Sequence, residues 1–152
     1  MQSACYSNYQ TEKTMRFFYS TVFLALLAAA NCNAQIAVIV NKANPISKIT
    51  PSLLSDIYLL NNTRWSDGTK IVVFECKATE ARVTLCNFIG KDNMSLRKRW
   101  MQVQLSGEGK APEVLDDASD VIKKVSSNTG GIGYVKLSEV RDNDVKVIAK
   151  ID

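Results

Sequence analysis

Gln35–Asn41 (QIAVIVN) is an almost unbroken apolar run rich in Val and Ile. Such a run is the mark of a strand buried on both faces, since a half-solvated strand would alternate with polar residues. Asn44-Pro45 breaks it. Thr50 followed by Pro51 then predicts a helix start: the hydroxyl can cap, and proline gives up no bond at the first helical position. Leu53, Leu54, Ile57, Tyr58 and Leu60 or Asn61 follow at helical spacing, so one face should pack on a sheet. Asn61 and Asn62 are expected to take the left-handed turn that ends this helix. Trp65-Ser66-Asp67-Gly68 reads as a turn, with Trp65 as its packing anchor. It leads into Lys70–Cys76 (KIVVFEC), a second buried strand that completes an expected β-α-β unit.

Beyond it, Thr79 is expected to cap a helix carrying Ala81, Leu85, Phe88 and Ile89 on one stripe, with Gly90 as its stop. A third helix, about Met94–Gln104, should bury Leu96, Trp100 and Val103 and expose Arg97, Lys98 and Arg99. Ser106–Pro112 (SGEGKAP) is a loop, and its Gly-x-Gly follows no strand and opens no helix, so it is no nucleotide fingerprint. A fourth helix, about Asp117–Asn128, has Ala118, Val121, Ile122 and Val125 on one face. Its acids Asp116, Asp117 and Asp120 gather at the positive end of the dipole, and Gly130 or Gly131 should end it. Gly131–Leu137 and Val145–Ile151 read as strands, the second alternating with Lys146 and Lys150 as an edge strand does. Gly131 and Gly133 are expected to allow close approach of helix and sheet. The order β-α-β-α-α-α-β-β predicts a three-layer α/β lobe with a mixed sheet flanked by helices.

Residues 1–34 stand apart from this pattern. Met15–Ala34 has the layout of a cleavable secretory signal: Arg16, an apolar stretch Phe17–Ala30, and the small-residue junction Cys32-Asn33-Ala34 before Gln35. The expected start is Met15, with Met1–Thr14 as an upstream extension; a lipoprotein reading through Cys32 is the weaker alternative beside Asn31. The apolar stretch is short for a membrane span, so the expectation is export to the periplasm without an anchor. The remaining 35–152 is one domain's worth of chain.

The charge balance excludes more than it suggests. Setting aside Glu12, Lys13 and Arg16 leaves seventeen basic and fourteen acidic residues, a net of +3, and Arg97-Lys98-Arg99 is the one basic cluster. Nucleic-acid binding has no footprint here. The chain has no histidine, which removes the commonest general base and metal ligand, and no serine or cysteine comes with a visible base. The expectation is a protein that is not an enzyme and carries no metal or cofactor. Cys76 and Cys86 fall at a strand end and about two helical turns on, roughly 10 Å apart, too far for easy bridging. They read as small core residues, with a disulfide as the alternative.

Leu54–Gly68 (LSDIYLLNNTRWSDG) and Gly130–Val135 (GGIGYV) together resemble the phosphate-binding proteins of bacterial ABC importers. There, a helix runs into a Trp-bearing turn, and a Gly-rich G-I-G-Y-V strand lies farther along. The resemblance covers 35–152 and implies one lobe of a type II periplasmic-binding-protein-like fold. It implies a small anion such as phosphate as ligand, with an importer, another envelope protein or a second copy of the chain as partner. The strand-to-helix turn Glu75–Arg82 (ECKATEAR) is the matching anion site, where first-turn amides and the helix dipole favour negative charge. The resemblance assigns Lys77, Thr79 and Arg82 as ligand residues. The family's Gly-Ser-Gly-Thr is replaced by Lys77–Ala81, and Glu80 sets a carboxylate against an incoming anion. That departure supports an alternative, a periplasmic interaction module that has lost its ligand.

Overall fold

The central strand β1 (Ile36–Val40) is buried at all five positions, as its unbroken apolar run requires. The computed structural model describes residues 35–141 and 145–152, apart from the side chain of Thr79, so the expected leader at 1–34 lies outside the described residues. Beside β1 the sheet holds β2 (Val72–Cys76), β3 (Glu113–Leu115), β4 (Gly131–Lys136) and β5 (Lys146–Ile151), in the order β3-β2-β4-β1-β5. Among the described residues four helices accompany it: α1 (Pro51–Tyr58), α2 (Thr79–Phe88), α3 (Asn93–Ser106) and α4 (Ala118–Ser127). A single 3₁₀ turn, Leu137–Glu139, follows β4.

The sheet is mixed. β2 runs parallel to both β3 and β4, while β1 runs antiparallel to β4 and β5. The expected parallel β-α-β unit from β1 to β2 is therefore corrected: β4 lies between them and β1 points the opposite way. Hydrophobic runs mark burial but carry no strand direction. β5 is at the edge, as its alternation with lysine predicts. β3 was unmarked in the sequence because it is three residues long and largely exposed.

Helices cover both faces. Gly133 and Tyr134 are neighbours on β4 and so point to opposite sides. A Cβ at Gly133 would lie 2.7 Å from the Val121 side chain, so the missing side chain lets α4 press on the sheet. Tyr134 faces the other side, where its ring centroid lies 5.9 Å from that of Tyr58 on α1 and its hydroxyl reaches Glu75 beside Arg82 of α2. The three-layer reading follows from that alternation.

Local signals explain most helix ends. Thr50 accepts from the Leu53 amide at 3.3 Å, Asp92 from Ser95 at 2.8 Å, and Asp117 from Asp120 at 3.0 Å. Gly90 and Gly107 take left-handed backbone after α2 and α3. Three expectations fail. The left-handed residue after α1 is Leu60, with φ 60°, and neither Asn61 nor Asn62; α4 closes on extended Asn128, before the glycines; and the N-cap position of α2 falls to Ala78, with Thr79 as its first helical residue. Trp65 is the anchor its turn needs. It is buried and its Nε1 donates to the Gly130 carbonyl at 3.1 Å, while a Cβ at Gly130 would stand 1.9 Å from the Lys70 carbonyl oxygen. Trp100 is likewise in the core, donating to the Tyr58 carbonyl at 2.6 Å.

Candidate functional site

Because β2, β3 and β4 are mutually parallel, their carboxyl ends meet at one edge of the sheet, the position where open α/β sheets take ligands. Cys76 hands over to α2, Leu115 to α4, and Lys136 to the 3₁₀ turn. Between them lies a pocket of about 220 Å³, lined chiefly by Ala78 before α2 and Ala81 within it, Asp116 and Asp117 before α4, and Lys136 and Glu139. Asp117, Ala118 and Glu139 also border an adjoining cleft of about 710 Å³ along α4.

The two helices that start here differ. The α4 start is closed by its own residue: Asp117 accepts from the Asp120 amide and from the Ser119 hydroxyl at 2.7 Å. The hydroxyl and amide of that turn hold the Asp117 carboxyl below the usual aspartate range. Among the described residues the α2 start has no side-chain cap, because Ala78 can offer none. Its first-turn amides are the donors an anion would use.

Of the three residues the resemblance assigned, Lys77 and Arg82 point to different surroundings. Lys77 is exposed at the rim, where its Nζ lies 3.1 Å from Asp116. The Thr79 backbone opens α2, and its side chain lies outside the described residues. Arg82 points inward, 7% exposed, with Nε 2.6 Å from a Glu75 oxygen. Its N–H is not aimed at that oxygen, so the contact is an ion pair more than an aligned hydrogen bond. Nη2 also approaches the Cys76 carbonyl at 3.5 Å, and Tyr134 Oη donates to Glu75 at 3.3 Å. Burial raises the Glu75 pKa against the opposing pull of Arg82. For Arg82, burial works downward, but Glu75 and Tyr134 together outweigh it, so the guanidinium is raised. Its charge serves the interior.

The residue that sequence reasoning missed is Lys136. It lines the pocket and pairs with Glu80 at 3.2 Å. Nothing local marked it, since it ends a strand far along the chain from α2. Glu75 did carry a signal: it is the one acid in an apolar strand, and a buried acid demands a partner. Cys76 and Cys86 are buried free thiols, as the core reading has it.

Solved structures with this architecture share one theme. A Clostridium perfringens protein assigned as a phosphate ABC transporter substrate-binding protein, solved with bound phosphate, superposes with a TM-score of 0.61 at 24% identity. An ABC-type phosphate transport receptor from Vibrio cholerae gives 0.50 at 25% identity, and PstS from Borrelia burgdorferi 0.55 at 18%. The chain has the fold of one lobe of these proteins. The matches cover 76% of this chain but 45%, 49% and 47% of those chains, so it spans about half their length. No protein-family model and no curated protein matches it.

Proposed function

We propose that this lobe takes phosphate or a similar small oxyanion, weakly, in the pocket at the start of α2, and that it works as an exported solute-binding component and not as an enzyme. The observation that carries the reading is the α2 start without a side-chain cap, beside a pocket at the edge where three parallel strands end, which Lys136 lines and whose Asp116 pairs with Lys77. The likeness to phosphate-binding proteins supports it. Lys77 and Thr79 keep the roles the resemblance gives them, the α2 first-turn amides add donors, Lys136 contributes the second cation, and Arg82 acts only by holding Glu75.

Magnitudes set the expected strength. Exposed ion pairs are each worth about 0–1 kcal/mol, so an anion can draw Lys77 from Asp116 and Lys136 from Glu80 at little cost. It then faces the freed carboxylates and those of Asp117 and Glu139. Each repels a unit charge at 4 Å by about 1 kcal/mol in a water-like dielectric. The balance points to affinity in the millimolar range, about 4 kcal/mol. Tighter binding would need a second copy or an envelope partner to close the pocket and lower its dielectric.

Calorimetric titration of residues 35–152 with inorganic phosphate tests this. Weak saturable binding is expected, lost in Lys136→Ala and tightened several-fold in Glu80→Gln with Asp116→Asn. No heat from the wild type or from the relieved double variant at millimolar phosphate overturns the reading. A result of that kind would favour the second reading, an interaction module on the same lobe, which the four carboxylates around the pocket support. Export carries its own check: the amino terminus of protein recovered from the periplasm is expected at Gln35.

A further inference from the structure

Helix α3 is buried along one narrow stripe, Leu96, Trp100 and Val103. At 3.6 residues per turn, Met94, Met101 and Leu105 fall on the side directly opposite. They are 79%, 62% and 81% exposed. A helix held only by its core face should present polar side chains there, and α3 presents an apolar ridge about 16 Å long. Arg97 and Lys98, both exposed, flank the ridge on its two sides, and the helix sequence NMSLRKRWMQVQLS contains no acid.

We propose that α3 is a docking helix whose Met94, Met101 and Leu105 insert into an apolar groove rimmed by carboxylates on another protein, with Arg97 and Lys98 pairing with that rim. Spacing of i, i+7 and i+11 is the form in which helices enter grooves. Methionine suits such a ridge because its unbranched thioether fits itself to an irregular wall. Charge decides the occupant. A symmetric dimer through α3 would set cations against cations, since such an interface meets itself, and like charges so placed cost several kcal/mol. A flat anionic bilayer favours a broad apolar face with bulky anchors, which a single line of two methionines and a leucine does not provide. α3 contributes nothing to the lining of the phosphate pocket, so this surface stands whether or not the pocket binds an anion.

The test places a photo-crosslinking amino acid at Met101, at Leu105 and, as control, at exposed Lys123 on α4, in the full chain expressed in its own cells. A discrete adduct is expected at the two α3 positions and not at Lys123, attached to a partner segment that mixes apolar residues with Asp or Glu. Arg97→Glu with Lys98→Glu should cut the adduct at least tenfold, and reversing the partner's acids to lysine should restore it. These exposed positions leave the core untouched, and circular dichroism confirms that each variant is folded. An adduct with a second copy, attachment to a segment without acids, failure of the charge reversal to rescue, or no discrete adduct at either α3 position overturns the proposal. So does cosedimentation with phosphatidylglycerol vesicles that is lost on Met101→Glu.

Discussion

The turn from β2 into α2 carries ion pairs of two kinds at similar distances. Glu75 and Arg82 meet at 2.6 Å with 2% and 8% of their side chains exposed. Lys77–Asp116 and Lys136–Glu80 meet at 3.1 and 3.2 Å with exposures of 70% and 84%, and 41% and 76%. What separates them is water. Removing one member of a buried pair strands a charge where nothing solvates it, whereas an exposed charge that loses its partner is rehydrated. The buried pair is therefore part of the structure, and the exposed pairs can be given up to a ligand.

Breaking the buried pair should have the largest effect. Arg82→Ala leaves Glu75 uncompensated and is expected to cost about 3–5 kcal/mol of unfolding free energy, read from urea midpoints. Replacing both members with apolar residues, Glu75→Leu with Arg82→Met, should recover most of that loss, because the desolvation cost disappears with the charges. A single-variant cost under about 1 kcal/mol would mean that Arg82 is free to turn outward, and its assignment as a ligand residue would return.

The buried cluster also sets the pH profile. Burial raises Glu75, Cys86, Tyr58 and Tyr134 above their ordinary values of 4.5, 9.0, 10.0 and 10.0. Each is an acid that holds its proton longer when folded, so stability falls as pH rises through its window. For Glu75 that window begins near 4.5, for Cys86 near 9.0 and for the tyrosines near 10.0. Hydrogen bonding moves Asp67, Asp92 and Asp117 the other way, below 3.8, so their contribution is lost as pH falls through that region. Unfolding midpoints across pH should peak between these limits. Tyr58 sharpens the point, since its buried hydroxyl has no partner among the described residues. Tyr58→Phe should leave neutral stability unchanged or raise it by about 1 kcal/mol and flatten the alkaline decline. An alkaline limb identical to wild type would show that Tyr58 does not drive it.

The sequence located this region better than it resolved it. Apolar runs marked β1 and β2, Thr50 and Gly90 marked helix ends, and the Glu75–Arg82 turn borders the pocket at the strand ends. The side on which Arg82 lies was legible too: with Leu85 and Cys86, three and four residues on and both buried, it shares their face of α2, and Glu75 was the acid waiting for it. Strand direction was not legible, because burial has the same period in either sense. Lys136 was not legible either, because only parallel pairing of β2 with β4 brings its strand end beside α2.

The smallest expected effect bears most on function. Lys77→Ala, Glu80→Gln and Asp116→Asn should each shift unfolding free energy by no more than about 0.5 kcal/mol, an order of magnitude below Arg82→Ala. Phosphate titrations of the same proteins should nonetheless separate, Lys77→Ala weakening and the two acid-neutralising variants strengthening the heat of binding. Stability and affinity would then report on different pairs within one short turn. If neutralising Glu80 or Asp116 instead lowered the midpoint by several kcal/mol, the rim pairs would be structural like Glu75–Arg82, and no cation at the pocket would be available to an anion.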